Sequence, residues 1–248
     1  MITIPEQRQF SRCDPTPYDE FIEFISPSIY EELLSSFPPE ELFADEIPEY
    51  RKHGQRPHCR KFMCYGHTSN SKYFAPYVAK LKDLPEVWSE FCHYMYTNKQ
   101  YKEWLSDMLG VRNLAFRFDF HRTKSGLDVS PHVDSRFKHA SHLFYFMPEG
   151  WKEEYGGQTI FYKGLTKDIL NPEPEDFTSK TLTTTAGNRS CLFKNVPDGW
   201  HGVTEINTGS DIVRQIFNIV VLSTRPDSSP LPGFGDKLKA YKLKKINK

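Results

Sequence analysis

The chain has 248 residues, of which 38% are hydrophobic and 26% charged, so it has the composition of a globular protein that can bury a sizeable core. Its 32 basic and 32 acidic residues cancel, which removes the overall electrostatic case for binding nucleic acid or an anionic membrane. The apolar runs are far shorter than the roughly 18 residues of a membrane span, and the N-terminus, MITIPEQRQF, does not resemble a signal peptide.

The N-terminal region is expected to be mainly helical. Between Phe21 and Leu34, apolar residues recur at intervals of three or four, which predicts an amphipathic helix. The sequence DPTP at residues 14–17 would open this segment, and Pro38 with Pro39 would end it. Residues 40–70 contain prolines and many charges, so we expect them to be irregular.

A second helical stretch is predicted from about Tyr73 to Leu109, with breaks near Pro85 and Asn98. The pattern changes at Gly110. From Leu114 to Phe120, phenylalanines alternate with charged residues, and this period of two predicts a β-strand. The chain therefore passes from helices to strands, an order that argues against a doubly wound sheet, in which the two alternate.

Short strands separated by turn residues are expected to fill the rest of the chain. They are predicted at His142–Met147, Gln158–Tyr162, Thr181–Thr185, Ser190–Phe193 and Gln215–Ser223. Many short strands favour a β-sandwich or jelly roll. We therefore predict an α+β fold with one domain over residues 1–236, in which a mainly helical part (1–110) packs on a jelly-roll core (111–224), followed by a basic tail (237–248).

Several clusters are interpreted as surface or structural features. Histidines and cysteines between residues 53 and 67 contain no C-x₂-C pair and match no common zinc-site spacing, so a loop is favoured over a zinc site; they are His53, His58, Cys59, Cys64 and His67. Basic residues in the same region favour a solvated face over a patch for an acidic substrate: Arg51, Lys52, Arg56, Arg60 and Lys61. The lysine-rich tail favours a solvated end over a docking patch.

Cysteine usage bears on the compartment. The chain has five scattered cysteines, an odd number: Cys13, Cys59, Cys64, Cys92 and Cys191. This pattern does not fit a disulfide framework and favours the reducing cytoplasm.

Residues able to bind a metal lie between positions 132 and 214. His132 and Asp134 are two positions apart, and on an extended segment such residues point to the same side, so both can reach one ion. A second histidine, His201, follows later. Two histidines and one carboxylate can form the facial triad of non-haem Fe(II), which leaves coordination positions open. Arg214 opens an apolar strand, where a lone guanidinium needs an anionic partner such as a carboxylate.

Five motifs follow one another in the second half of the chain: SPHVDS, LFYFMPEGW, YGGQTIFY, GNRSCLFKNVPDGWHGV and RQIFNIVVL. In this order they resemble the catalytic core of the 2-oxoglutarate/Fe(II)-dependent oxygenases, in the branch that contains the prolyl 4-hydroxylases. The resemblance covers residues 111–224, a little under half of the chain. It implies a double-stranded β-helix, iron held by His132, Asp134 and His201, and 2-oxoglutarate anchored by Arg214.

The same resemblance implies further roles. Tyr145 matches the tyrosine of the family's Tyr-Leu-Asn-like strand, which supports the cosubstrate carboxylate, although Phe146 and Met147 depart from that motif. His121 stands near the place of a family tyrosine upstream of the HxD motif, and either takes over its cosubstrate role or is an ordinary strand-end histidine. Because position 134 is Asp, the resemblance implies hydroxylation and not halogenation. O₂ would be the second cosubstrate and ascorbate a reductant, with succinate and CO₂ as products.

Other function classes remain open at this point. A cupin-like metal-binding module would share the jelly roll and the histidines but would not need Arg214. A Ser/His/Asp hydrolase is disfavoured because the chain has no G-x-S-x-G motif. For an oxygenase, we expect a small polar or amino-acid-like substrate first and a protein side chain such as proline second, with no nucleic-acid or membrane partner.

Overall fold

The computed structural model describes residues 1–45, 60–66, 78–135, 137–209 and 211–223. Within these ranges the chain forms three α-helices, α1 (Pro27–Ser35), α2 (Glu86–Thr97) and α3 (Lys99–Leu109). It also forms eleven strands: β1 (Tyr18–Ile22), β2 (Ala44–Asp45), β3 (Lys61–Gly66), β4 (Leu114–Thr123), β5 (Val129–His132), β6 (Lys138–Tyr145), β7 (Thr159–Leu165), β8 (Phe177–Leu182), β9 (Arg189–Lys194), β10 (His201–Val203) and β11 (Arg214–Ser223).

The strands form two antiparallel sheets. The large sheet has the order β1-β9-β6-β11-β4-β3-β2, and the small sheet has the order β5-β10-β7-β8. Side chains of both sheets meet in one buried cluster, in which Phe161 of β7 packs with Tyr145 of β6 and Ile216 of β11. Two facing sheets with this non-sequential strand order are a double-stranded β-helix, which confirms the predicted fold class.

Strand β4 shows how the sequence separates the two faces of the large sheet. Phe116, Phe118 and Phe120 are fully buried against the helices, in the same cluster as Trp88 of α2. Because alternate residues of a strand point to opposite faces, the odd-numbered residues of β4 point toward the small sheet. His121, which directly follows Phe120, is one of these, and it is buried. The helices thus cover the outer face, and the polar side chains face the interior.

The helix boundaries follow local chemistry. Helix α2 begins directly after Pro85, and α3 begins at Asn98, whose side-chain oxygen accepts a hydrogen bond of 2.9 Å from the backbone N–H of Tyr101. Gly110 ends α3 in the left-handed conformation, with a φ of 67°. The predicted breaks near Pro85 and Asn98 are therefore confirmed, while residues 73–77 of the predicted stretch lie outside the described residues.

The N-terminal part contains strands that the sequence did not predict. Helix α1 is shorter than expected because Tyr18–Ile22 pairs as β1 with β9, and β3 lies in the region expected to be irregular. Both strands are at or near the edges of the large sheet, where pairing with a distant strand outweighs local helical spacing. The strand predicted at Thr181–Thr185 is shifted to Phe177–Leu182.

Every helix in the described ranges is too short or too polar to cross a bilayer.

Candidate metal centre

Strand pairing brings the two predicted histidine ligands together. Strands β5 and β10 are antiparallel, and His201 lies directly opposite His132, with ring centroids 4.3 Å apart. A Cβ at Gly202 would lie 2.4 Å from the backbone oxygen of Val129, so only glycine allows the two strands to approach this closely here. The Gly after the histidine in WHGV therefore helps to set the distance between the two rings.

Backbone hydrogen bonds determine which ring nitrogen of each histidine carries the proton. Nδ1 of His132 lies 3.0 Å from the carbonyl oxygen of Ser130, and Nδ1 of His201 lies 2.9 Å from that of Gly199. Because a carbonyl only accepts, each Nδ1 carries the proton and donates it. Each Nε2 then keeps a lone pair, which is the form in which imidazole binds metals.

Asp134 completes the group just beyond the end of β5. Its Oδ2 lies 3.5 Å from Nε2 of His201, and one potential ligand atom from each of His132, Asp134 and His201 lies within 4.8 Å of the others. Two neutral imidazoles and one carboxylate are the donor set of a 2-His-1-carboxylate site. The residues present therefore fit a divalent transition metal such as Fe(II).

A buried lysine neutralises Asp134. Nζ of Lys138 lies 2.6 Å from Oδ2 of Asp134, and the two side chains are only 13% and 14% exposed. Burial by itself would raise the pKa of Asp134, but Lys138, His201 and His132 outweigh it and hold the pKa well below its usual range. Burial lowers the pKa of His201, although Asp134 opposes this effect, so His201 is neutral at physiological pH. Sequence reasoning missed Lys138, whose only signal is its position four residues after Asp134.

Arg214, the predicted anchor, lies buried at the start of β11, 4% exposed. Its Nε donates a 2.8 Å hydrogen bond to the carbonyl oxygen of Gly157. A Cβ at Gly157 would lie 2.9 Å from Cδ of Arg214, and this glycine has a φ of 76°, so the second glycine of YGGQT makes room for the arginine. Burial lowers the pKa of Arg214 to about 10, which still leaves it charged at neutral pH. Among the described residues no carboxylate pairs with it.

Tyr145 lies next to this arginine. The guanidinium carbon of Arg214 is 5.9 Å from the centroid of the Tyr145 ring. The hydroxyl of Tyr145 is fully buried and lies 2.9 Å from Oγ1 of Thr159 and 3.0 Å from Oγ1 of Thr183. The structure therefore places Tyr145 beside the predicted anchor, with its hydroxyl in a threonine network of β7 and the segment after β8.

His121 also lies in this region. On β4 it is paired with Ile216 of β11, diagonally beside Arg214, and it is 6% exposed. Its Nδ1 is 3.5 Å from Nη1 of Arg60, and its buried Nε2 has no hydrogen-bond partner among the described residues. Burial, together with Arg60 and Arg214, keeps the pKa of His121 well below its usual value, so the ring is neutral. His121 is therefore an interior residue and not an exposed histidine at a strand end.

The basic cluster and the histidine–cysteine segment are only partly described. Arg51, Lys52, Arg56, His53, His58, Cys59 and His67 lie outside the described residues, as does the tail 237–248. Lys61 forms an ion pair of 2.9 Å with Glu40, as expected of a surface residue. Arg60 differs from this expectation, because it lies against His121 and above the ring of Phe62, 5.6 Å away. Cys64 is fully buried in β3.

Solved structures of known proteins share this architecture. A prolyl-4-hydroxylase from Pseudomonas putida aligns with a TM-score of 0.55 at 12% identity, over 83% of this chain and 92% of that chain. A prolyl hydroxylase from Trichoplax adhaerens, solved with a peptide fragment of hypoxia inducible factor, aligns with a TM-score of 0.50 at 14% identity, over 83% of each chain. HygX from Streptomyces hygroscopicus, solved with nickel and 2-oxoglutarate, aligns with a TM-score of 0.52 at 10% identity, over 84% and 83%.

No protein-family model matches the sequence, and no curated protein matches it significantly. The likeness to the three solved structures shows that the chain has the fold of the 2-oxoglutarate/Fe(II) oxygenases, as the order of motifs predicted.

Proposed function

We propose that the protein is a non-haem Fe(II)- and 2-oxoglutarate-dependent dioxygenase that hydroxylates an unactivated C–H bond. The observation that carries this proposal is the convergence of His132, Asp134 and His201, with Nδ1 of each histidine bonded to a backbone carbonyl. Arg214 supports it, because a buried guanidinium facing no carboxylate of the described chain fits the distal carboxylate of 2-oxoglutarate. A cupin-like module would explain the first feature but not the second.

Each residue has a defined task in this proposal. His132, Asp134 and His201 would hold the iron, which would supply O₂ activation coupled to the oxidative decarboxylation of 2-oxoglutarate. Arg214 would bind the distal carboxylate, with Tyr145 and His121 beside it. The Nδ1 hydrogen bonds fix the tautomer and the orientation of the two imidazoles, with the lone pair on Nε2. The phenylalanine-lined interior would exclude water from the reacting centre. Ascorbate would serve as an accessory reductant.

For the substrate, we favour a small polar or amino-acid-like molecule. HygX, which has this fold, was also solved with hygromycin B bound. The alternative is a protein side chain such as proline, and the peptide-bound prolyl hydroxylase from Trichoplax adhaerens supports it. Mass spectrometry would distinguish them by showing which compound gains 16 mass units while succinate forms.

The test of the proposed function begins with metal binding. We expect the protein to bind one Fe(II) under anaerobic conditions, as measured by calorimetry, and to form succinate from 2-oxoglutarate when O₂ is admitted. His132→Ala should abolish both. His93→Ala is the matched control, because His93 is exposed on α2. Full binding by His132→Ala, or succinate formation in excess chelator, would show that the triad is assigned wrongly.

Compartment and domain organisation belong to the same proposal. Cys13, Cys64, Cys92 and Cys191 are free thiols in the described part of the chain, which fits a reducing cytoplasm. We also propose that residues 1–236 act as one catalytic domain, with 237–248 as an appended basic tail, and that the protein needs no nucleic-acid or membrane partner.

A further inference from the structure

We propose that Arg60 and His121 form, together with Arg214, a three-donor site for the distal carboxylate of the 2-oxo acid, so that the protein selects dicarboxylate over monocarboxylate 2-oxo acids. This inference rests on the proposed function and adds Arg60 to it, a residue that precedes β3 and lies far from every motif in the sequence.

Strand register places the two arginines in one row. Lys61 pairs with Arg122, and Arg60 directly precedes this pair, so continuing the register by one residue would place Arg60 opposite Thr123. Thr123 in turn pairs with Arg214. Residues directly opposite one another in neighbouring strands share a face of the sheet. With strands about 4.8 Å apart, the backbones of Arg60 and Arg214 are separated by roughly 10 Å, and both side chains can reach one carboxylate between them.

His121 lies between the two arginines and offers a third donor. Arg60 can only donate, so in its contact with Nδ1 of His121 the nitrogen accepts. The proton of the neutral ring is then on Nε2, which is buried and has no partner in the described part of the chain. A buried N–H without an acceptor is costly, and an incoming carboxylate oxygen would satisfy it.

The charges at this end are complementary to an anion. Among the described residues, neither Arg214 nor His121 pairs with a carboxylate. The buried interior acids belong to other partners: Asp119 binds Arg117 through two contacts of 2.7 and 2.8 Å, and Asp134 binds Lys138. The ligand itself must therefore supply the negative charge that Arg214 faces. A monocarboxylate 2-oxo acid places its only carboxylate at the metal and leaves this site empty.

Calorimetry on the Mn(II)-loaded protein under nitrogen tests the proposal without turnover. Wild type is titrated with 2-oxoglutarate and with 2-oxobutyrate, which lacks the distal carboxylate. Arg60→Met should weaken 2-oxoglutarate binding roughly 10- to 100-fold, the usual value of a hydrogen bond to a charged group, and leave 2-oxobutyrate binding unchanged. Arg60→Lys should lose less, because it keeps the charge but not the planar fork.

Lys61→Met is the matched control, since it removes one neighbouring positive charge that pairs with Glu40 and not with the site. It should bind both acids like wild type. Unchanged 2-oxoglutarate affinity in Arg60→Met, or an equal loss for both acids, would overturn the role of Arg60. If wild type bound neither acid, the proposed function itself would be wrong, which is a different result. Circular dichroism shows whether each variant is folded. If Arg60→Met does not fold, the test is carried out with Arg60→Lys.

Discussion

The space between the two sheets has two ends that are built differently. We call them the metal end (His132, Asp134 and His201) and the anion end (Arg214, His121 and Arg60). At the metal end, the groups facing inward already have partners: backbone carbonyls bind both Nδ1 atoms, and Lys138 neutralises Asp134. At the anion end, Arg214 and His121 are buried without a carboxylate in the described chain. The partners at the metal end are therefore supplied by the protein, whereas we propose that a ligand supplies the missing carboxylate at the anion end.

The ends also differ in how they are assembled. His132 and His201 belong to one strand pair, β5 and β10, and Asp134 follows directly. The anion end takes its residues from the start of β3 and from β4, β6 and β11. A local motif can therefore specify the metal end, while the anion end depends on the register of the whole large sheet.

Arg214→Met should produce the largest change at the anion end. Removing one partner of a buried charge pair costs about 3–5 kcal/mol, so 2-oxoglutarate affinity should fall by a hundredfold or more. Metal affinity should be nearly unchanged, because Arg214 bonds to Gly157 and not to the triad. Calorimetric titrations with metal and with 2-oxoglutarate check both halves. Unaltered cosubstrate affinity would mean that another residue is the anchor, and a parallel loss of metal binding would mean that the two ends are not independent.

Lys138→Met tests whether the positive charge of Lys138 neutralises Asp134 in the metal-free protein. Without Lys138, the metal-free protein holds a buried carboxylate with no neighbouring lysine, and we expect a loss of about 3 kcal/mol in the free energy of unfolding. A bound divalent metal neutralises Asp134 by itself, so the loss should shrink in saturating Mn(II). Urea unfolding with and without metal measures this difference.

Lys152→Met serves as the control for this experiment. Lys152 is 60% exposed and forms a surface ion pair with Glu154, so its removal should change stability little in either state. Equal destabilisation of Lys138→Met with and without metal would show that Lys138 acts by packing and not by its charge.

The outer face of the large sheet provides a third region for comparison. We expect its contribution to folding stability to depend on pH. His142 is fully buried on β6, between the hydroxyls of Tyr101 and Ser190, and burial lowers its pKa to about 3. Since this value is below that of the unfolded chain, the stability due to neutral His142 is complete above about pH 6.5 and is lost as the pH falls toward 3.

His142→Gln should therefore lose less stability on acidification than wild type, by about 2–3 kcal/mol between pH 6.5 and 4.5. Urea unfolding at both pH values measures the difference, and His93→Ala is the control because His93 is exposed. A wild-type acid sensitivity in His142→Gln would assign the effect to other groups, among which His121, His139 and His201 also have pKa values lowered by burial.

The contrast between the ends explains what the sequence could predict. The HVD and WHGV motifs predicted the metal group because a two-residue spacing and one strand pair bring these residues together. Arg60 was interpreted as a solvated basic residue because nothing near it in the sequence shows that it lies against His121. Strand β1 was missed for the same reason: Phe21, Phe24 and Ile25 have helical spacing, and only pairing with β9 makes Tyr18–Ile22 a strand.

Tyr145→Phe should have the smallest effect and sharpens the account of the anion end. The hydroxyl is held by Thr159 and Thr183, so it is committed to bonds within the protein, and burial raises its pKa and keeps it neutral. If its main task is to hold the two threonines, its loss should cost about 1 kcal/mol of folding stability and change 2-oxoglutarate affinity less than tenfold. If instead it donates directly to the cosubstrate, affinity should fall as much as in Arg60→Met, while 2-oxobutyrate binding stays constant.

Thr183→Val separates the two cases, because it removes one partner of the hydroxyl. A loss of affinity in Thr183→Val that matches the loss in Tyr145→Phe would mean that the tyrosine acts through the threonine network, and a loss confined to Tyr145→Phe would make it a direct ligand.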